Sequence, residues 1–167
     1  MKTREWLMTE KNLIYEDVNS FEGLSSNERE NVQLVITELK GWANQDVNMV
    51  LSVMAEDGVY YDITGEPAVG HAAIKEFGGG WVDAVPDFEP YVEAFVAQDN
   101  TVVDMGRISG TMKNEFFGLP ATGKKFDVQY CQFVLVENGK IKYVRDHWNF
   151  VDMFHQLGWD CAELNKK

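Results

Sequence analysis

From Phe88 onward the apolar residues stop recurring at helical spacing and begin to alternate, and this change of period constrains the fold more than any other feature. Strands are expected near 88–97, 101–112, 125–136 and 140–150. Asp99-Asn100 and Glu137-Asn138-Gly139 punctuate them. An Asn-Gly pair between two apolar runs is a strong hairpin signal, because both residues tolerate the positive φ of a tight turn. A longer loop, Lys113 to Lys124, joins the middle strands.

The first half reads differently. Asn27 can cap a helix whose first turn carries Glu28 and Glu30, with Val32, Val35, Ile36, Leu39 and Trp42 on one face. Asp46 opens a second, short helix through Val50, Leu51 and Met54, and Asp57-Gly58 ends it. Val59 to Ile63 is β-branched and aromatic and reads as a strand. Gly65, Pro67 and Gly70 make a loop, and a third helix starts over Ala72 to Phe77. The triplet Gly78-Gly79-Gly80 is costly inside a helix, at about 1 kcal/mol per glycine against alanine. Either the helix breaks there or something large packs close. Phe154, Leu157 and Gly158 predict a last helical turn. Helices first and a hairpin-connected sheet after them give an α+β class, with helices on one face of a curved sheet.

Organisation follows from these readings. Residues 1–27 form an N-terminal extension that Trp6, Leu7, Leu13, Ile14 and Tyr15 could dock, residues 28–160 a single domain, and 161–167 a tail. The length, 167 residues, suits one domain with a sizeable core. An aromatic content of 13% permits an apolar ligand cavity. The net charge of -12 repels phosphate backbones and anionic membrane surfaces, which argues against a nucleic-acid or membrane partner. Cys131 and Cys161 lack metal or disulfide spacing, and Cys131 reads as a reduced core residue. No signal peptide or apolar span is evident, so the expected compartment is the cytosol.

Several motifs in order carry a family resemblance. They are Tyr60-Tyr61-Asp62 with Gly70, Pro86-Asp87-Phe88, the Arg107 strand, and Phe117-Gly118-Leu119-Pro120-Ala121-Thr122-Gly123-Lys124-Lys125. Asn138-Gly139-Lys140-Ile141 then runs into Arg145-Asp146-His147-Trp148 and Gln156-Leu157-Gly158. Over roughly residues 29–158 the chain resembles the SnoaL-like polyketide cyclases of the NTF2-like superfamily, and also limonene epoxide hydrolase. The resemblance implies a cystatin-like cone of about three helices on a strongly curved mixed or antiparallel sheet enclosing a pocket. It also implies a homodimer. Such a scaffold hosts cyclases, isomerases, hydrolases and non-catalytic modules alike.

Strand alternation sets the candidate chemistry. In the last strand Val144, Asp146 and Trp148 share a face, opposite Tyr143, Arg145 and His147. Tyr130, Gln132 and Val134 share a face of the preceding strand, so the hairpin brings Gln132 near Asp146. Tyr60 and Asp62 alternate together on the first strand. A carboxyl between Val144 and Trp148 is partly desolvated, and desolvation raises its pKa toward the range useful for acid–base work. The resemblance assigns Asp146 as general acid/base of an aldol ring closure, with no metal or cofactor. Gln132, Tyr130, Tyr60, Asp62, Trp148 and Arg107 are the candidate substrate contacts. The competing reading makes Asp146 a structural group bonded to Arg145, Arg107 or a backbone amide.

Epoxide hydrolysis fits less well. The resemblance to limonene epoxide hydrolase implies a strand Arg-x-Asp beside the last-strand aspartate, and here the chain reads Arg107-Ile108-Ser109. Serine cannot replace the missing carboxylate as a base unless Asp104 or Asp62 substitutes. The expected function is thus a cofactor-independent cyclase, isomerase or hydrolase acting on a small apolar carbonyl compound. The alternatives are a non-catalytic module binding an apolar ligand, and a structural or dimerising domain with a filled core.

Overall fold

The computed structural model describes residues 23–62 and 65–159. The readings for residues 1–22 and for Cys161 and the tail fall outside them. Helix α1, Ser26–Ala43, is capped by Ser25 rather than by Asn27. Ser25 and Glu28 form a reciprocal capping box, which satisfies two orphan amide donors where Asn27 would have satisfied one. The Asn27 and Asn31 side chains instead donate to the Asp99 carbonyl, tying the helix start to a strand turn. Helix α2, Val47–Val53, opens at Asp46 as expected, whose carboxylate accepts from two backbone amides.

Strand β1 spans Met54–Tyr61, earlier than the expected Val59 start, and Asp57-Gly58 lies inside it. A register shift between Met54 and Val59 absorbs these poor strand formers. A two-residue strand β2, Ala68–Val69, pairs with β1. Helix α3, Gly70–Ala84, runs unbroken through the glycine triplet. The Trp42 ring lies against Gly78, where a Cβ would sit 3.0 Å from it. The triplet therefore accommodates a close-packed neighbour, the second of the two alternatives.

The remaining strands are β3 (Glu89–Gln98), β4 (Thr101–Thr111), β5 (Lys125–Glu137) and β6 (Lys140–Trp148), followed by α4 (Phe150–Leu157). The sheet order is β2-β1-β6-β5-β4-β3. It is mixed, because β1 and β6 run parallel while the other neighbours are antiparallel. Gly106 permits the β3–β4 approach, since a Cβ there would meet the Tyr91 carbonyl at 1.9 Å. The adjacent register shift between Val92 and Ala94 bends the edge strand.

Helix α1 packs across the sheet and α3 packs on β1. Val32, Val35, Ile36, Val102, Val134 and Val144 are buried in one continuous core. Cys131 is a half-buried free thiol on the opposite face of β5 from Gln132, so it is not the core residue expected. Among the described residues no helix is long and apolar enough to cross a membrane.

Candidate active site

Strand register assembles a polar row in the middle of this apolar core. Asp104 pairs with Gln132, and Gln132 with Asp146, across three neighbouring strands. All three side chains face the helices and are at least nine-tenths buried. Tyr60 of β1 and Asp62, one residue past its end, extend the row beyond Asp146. Glu38 of α1 is fully buried over it. With Glu38 the row thus holds four carboxyl groups, two tyrosines and one amide, and the buried polar residues of the described core include no lysine, arginine or histidine.

Hydrogen bonds link the row in two strings. The Tyr60 hydroxyl lies 2.7 Å from Asp146 Oδ2 and 3.3 Å from Glu38 Oε1. Glu38 Oε1 also accepts from Trp42 Nε1, and the Gln132 amide nitrogen lies 3.5 Å from both Glu38 oxygens. Separately, the Tyr130 hydroxyl donates to Asp104 Oδ2 at 2.7 Å. Asp146 Oδ1, Asp104 Oδ1 and Gln132 Oε1 are buried without a hydrogen-bond partner.

Burial dominates the electrostatics. It raises the Asp146 carboxyl to about 8, helped by the neighbouring Asp62 charge and opposed by the Tyr60 hydrogen bond. Burial likewise raises Asp104 to about 7, against the pull of the Tyr130 hydroxyl. Glu38 is pushed well above the usual carboxyl range by burial first and the Asp146 charge second. Tyr60 and Tyr130 are pushed well above the phenol range, chiefly by burial and then by Asp146 and Asp104 respectively. Such acids are neutral or poised near neutrality, as proton transfer at pH 7 requires.

Two adjoining cavities reach this row. The inner one, about 30 Å³, is walled by Asp146, Gln132, Tyr130, Tyr60, Trp148 and apolar neighbours. The outer one, about 290 Å³, is lined by Ala68, Ala73, Phe77, Phe116, Phe117 and Leu119, with Glu66 and Glu76 at its exposed rim. Tyr60, Asp62 and Phe77 line both. The rings of Tyr60, Phe77 and Phe117 stack in sequence, with centroids 5.8 and 6.3 Å apart, from the inner wall to the surface. Phe117 and Gly118 both have positive φ in a tight turn closed by two Phe116–Leu119 backbone bonds. A phenylalanine at φ 44° is strained, and 52% of its surface is exposed.

The structure brings together Asp146, Gln132, Tyr130, Tyr60, Asp62 and Trp148 around the inner cavity. Arg107 does not join them. It occupies the other face of β4, where its guanidinium bonds Asp127 at 2.8 Å. Alternation puts Asp104, Gly106 and Ile108 inward and Arg107 outward. No lysine, arginine or histidine is among the residues lining either cavity. Asp146 is bonded to a tyrosine, and Arg145 lies over the Tyr61 ring on the outer face. Among the described residues no three His, Cys, Asp or Glu side chains form a group able to hold a metal ion.

Sequence reasoning missed Glu38 and named Asp104 only as a stand-in for the carboxylate absent from Arg107-Ile108-Ser109. Glu38 carries a signal, because it lies three residues after Val35 and four before Trp42, inside the apolar stripe. Asp104 carries little, since Val102 and Val103 make both faces of its strand look apolar.

Residues 33–157 match the sequence profile of the family described as SnoaL-like polyketide cyclase. The chain belongs to this family. Solved structures agree on the fold. A protein of Jannaschia sp. CCS1, inferred to be a SnoaL-like polyketide cyclase, superposes with a TM-score of 0.75 at 17% identity, covering 82% of this chain and 97% of that one. TsrD of Streptomyces laurentii gives 0.71 at 19% identity, covering 80% and 98%. IdmH of Streptomyces antibioticus, an inferred polyketide cyclase, gives 0.66 at 20% identity, covering 77% and 98%. No curated protein matches the chain in sequence. The SnoaL-like region runs from α1 to the end of α4, and so includes every residue of the polar row.

Proposed function

We propose that this SnoaL-like protein is a cofactor-independent cyclase or isomerase for a small apolar carbonyl compound, with Asp146 as general acid and base. The observation that carries the reading is Asp146 itself. Its Oδ2 is held by the Tyr60 hydroxyl, its Oδ1 is unpartnered, and it forms part of an apolar cavity wall. The apolar body of the substrate occupies the outer cavity between Phe77, Phe116 and Phe117. The reacting carbon reaches Asp146 through the inner cavity, past the Phe77 ring that lines both.

In the ring closure, ionised Asp146 takes the proton from a carbon next to a carbonyl, and the C–H electron pair becomes an enolate. The enolate carbon attacks a second carbonyl, forming the C–C bond. The resulting alkoxide recovers the proton from Asp146, which returns to its ionised form. No proton or electron is left over. The neutral acids around Asp146 limit the repulsion an enolate would otherwise meet in a site without cations.

Cyclisation of linear poly-β-keto esters, followed by product formation, tests this. The Asp146→Asn variant is expected to keep the fold and lose roughly 10²–10⁴-fold in rate, the usual share of a general acid–base group. An unchanged rate overturns the assignment. The small volume of the inner cavity favours one second reading, a binding module whose ligand stays in the outer cavity and never touches Asp146. That reading predicts affinity for apolar carbonyl compounds, equal in wild type and Asp146→Asn, with no turnover in either.

A further inference from the structure

Glu38 is the buried acid that the reaction above does not use. It projects from the buried face of α1, between Val35 and Trp42, with 0% of its surface exposed. The groups facing it are Trp42 on its own helix, Tyr60 of β1 with Asp62 beyond, Asp104 of β4, Gln132 and Tyr130 of β5, and Asp146 of β6. None of them is a cation. A buried carboxylate in such company has no charge partner, so the neutral acid is favoured.

Proton counting points the same way. Tyr60 has one hydroxyl proton and two carboxyl neighbours. The 2.7 Å contact to Asp146 Oδ2 claims that proton, leaving none for the 3.3 Å contact to Glu38 Oε1. With the Tyr60 proton on the shorter contact, the second becomes a hydrogen bond when Glu38 carries a proton and donates it to the tyrosine oxygen; the reverse order, Asp146 donating to Tyr60 and Tyr60 to an ionised Glu38, buries a charge with no cation beside it.

We infer that Glu38 is a positioning residue: as a neutral acid it donates to the Tyr60 oxygen, commits the Tyr60 hydroxyl to Asp146 Oδ2, and leaves Asp146 Oδ1 as the reacting oxygen. The inference rests on the reading of Asp146 as the acid–base group. A donor behind Tyr60 polarises its hydroxyl and strengthens the bond to Asp146. The effect passes through Tyr60 and not through contact with substrate.

The test is a pH titration of carboxyl-¹³C-labelled full-length protein, with the Asp146 signal assigned by its loss in Asp146→Asn. It needs no turnover, so it can fail while Asp146 remains catalytic, and Asp146 can prove inert while it succeeds. In the wild type Glu38 is expected to resonate as a protonated acid at pH 7, and a carboxylate signal overturns the inference. Glu38→Gln keeps an acceptor for Trp42 but no donor for Tyr60, because the single oxygen Oε1 serves both, so the Asp146 midpoint is expected to rise. Glu38→Met removes the donor, and the midpoint is expected to rise by about one pH unit as the Tyr60 bond weakens. Should Glu38→Met not fold, Glu38→Asp replaces it, because the shorter acid cannot reach Tyr60 and the same rise is expected. An unchanged midpoint in the variant that folds makes Glu38 merely structural. A fall of a pH unit or more in Glu38→Gln shows that Glu38 was charged. Either result contradicts the inference.

Discussion

At the residue scale, the site depends on carboxyl groups whose protons are held by burial. Asp146, raised to about 8, is largely neutral at pH 7, and the fraction able to accept a proton grows as pH rises. The rate of a base-initiated reaction should therefore climb from about pH 6, reach half its maximum near pH 8 and level off above about pH 9. A rate profile against pH checks this, and a plateau already reached by pH 5 would mean an ordinary exposed carboxylate. The apparent midpoint belongs to the coupled group that includes Asp62 and Asp104, not to Asp146 alone. Alternation made most of the row legible: Asp146, Gln132, Tyr130, Tyr60 and Asp62 all face inward as expected. It also showed that Asp104 and Arg107 face opposite ways. What it could not say was which of the two faced the core, because β4 carries apolar residues on both sides.

Elements explain how those residues are held. Within α3, three consecutive glycines have three different neighbourhoods. A Cβ on Gly79 meets nothing within 4 Å, whereas one on Gly78 meets the Trp42 ring and Val47 at 3.0 Å. Gly79→Ala should thus stabilise the fold by about 1 kcal/mol in urea denaturation, through helix propensity alone. Gly78→Ala should cancel that gain or reverse it by crowding Trp42, whose indole nitrogen holds Glu38. Equal effects at the two positions would contradict the packing described. In the β4–β5 connection, Phe117 occupies a positive-φ position that suits asparagine or glycine. Phe117→Asn should relieve roughly 1 kcal/mol of strain while weakening binding of a planar probe such as 2-naphthol several-fold. A variant that binds the probe as well as the wild type would remove Phe117 from the outer cavity's role. The four long strands were legible to within two residues, because Asn-Gly and Asp-Asn turns fix where alternation stops. The start of β1 was not, since Glu56-Asp57-Gly58 resembles a loop and only pairing with β6 makes it a strand.

For the whole molecule, buried acids invert the usual effect of pH on stability. A carboxyl raised in the folded state stabilises the fold fully below its unfolded value, and that stability is lost as pH rises through the folded value. For Asp104 and Asp146 the loss runs from about pH 4 to pH 7 and 8 respectively, and Glu38 adds to it in the same direction. Glu28, lowered by its bonds to Ser25, and Asp57, lowered by Lys142, act oppositely and lose stability as pH falls below 4. Maximum stability is therefore expected near pH 4, with a decline on the order of several kcal/mol by pH 9. Urea denaturation across that range measures it. Asp104→Asn should flatten the slope, which general repulsion from a net charge of -12 would not allow a single substitution to do. The central claim, that Asp146 is a desolvated acid poised for proton transfer, is tested most directly by the midpoint of its own carboxyl titration in the folded wild-type protein. A midpoint near 8 is expected. A midpoint below 5 would make Asp146 a permanently ionised structural group and contradict the proposed mechanism.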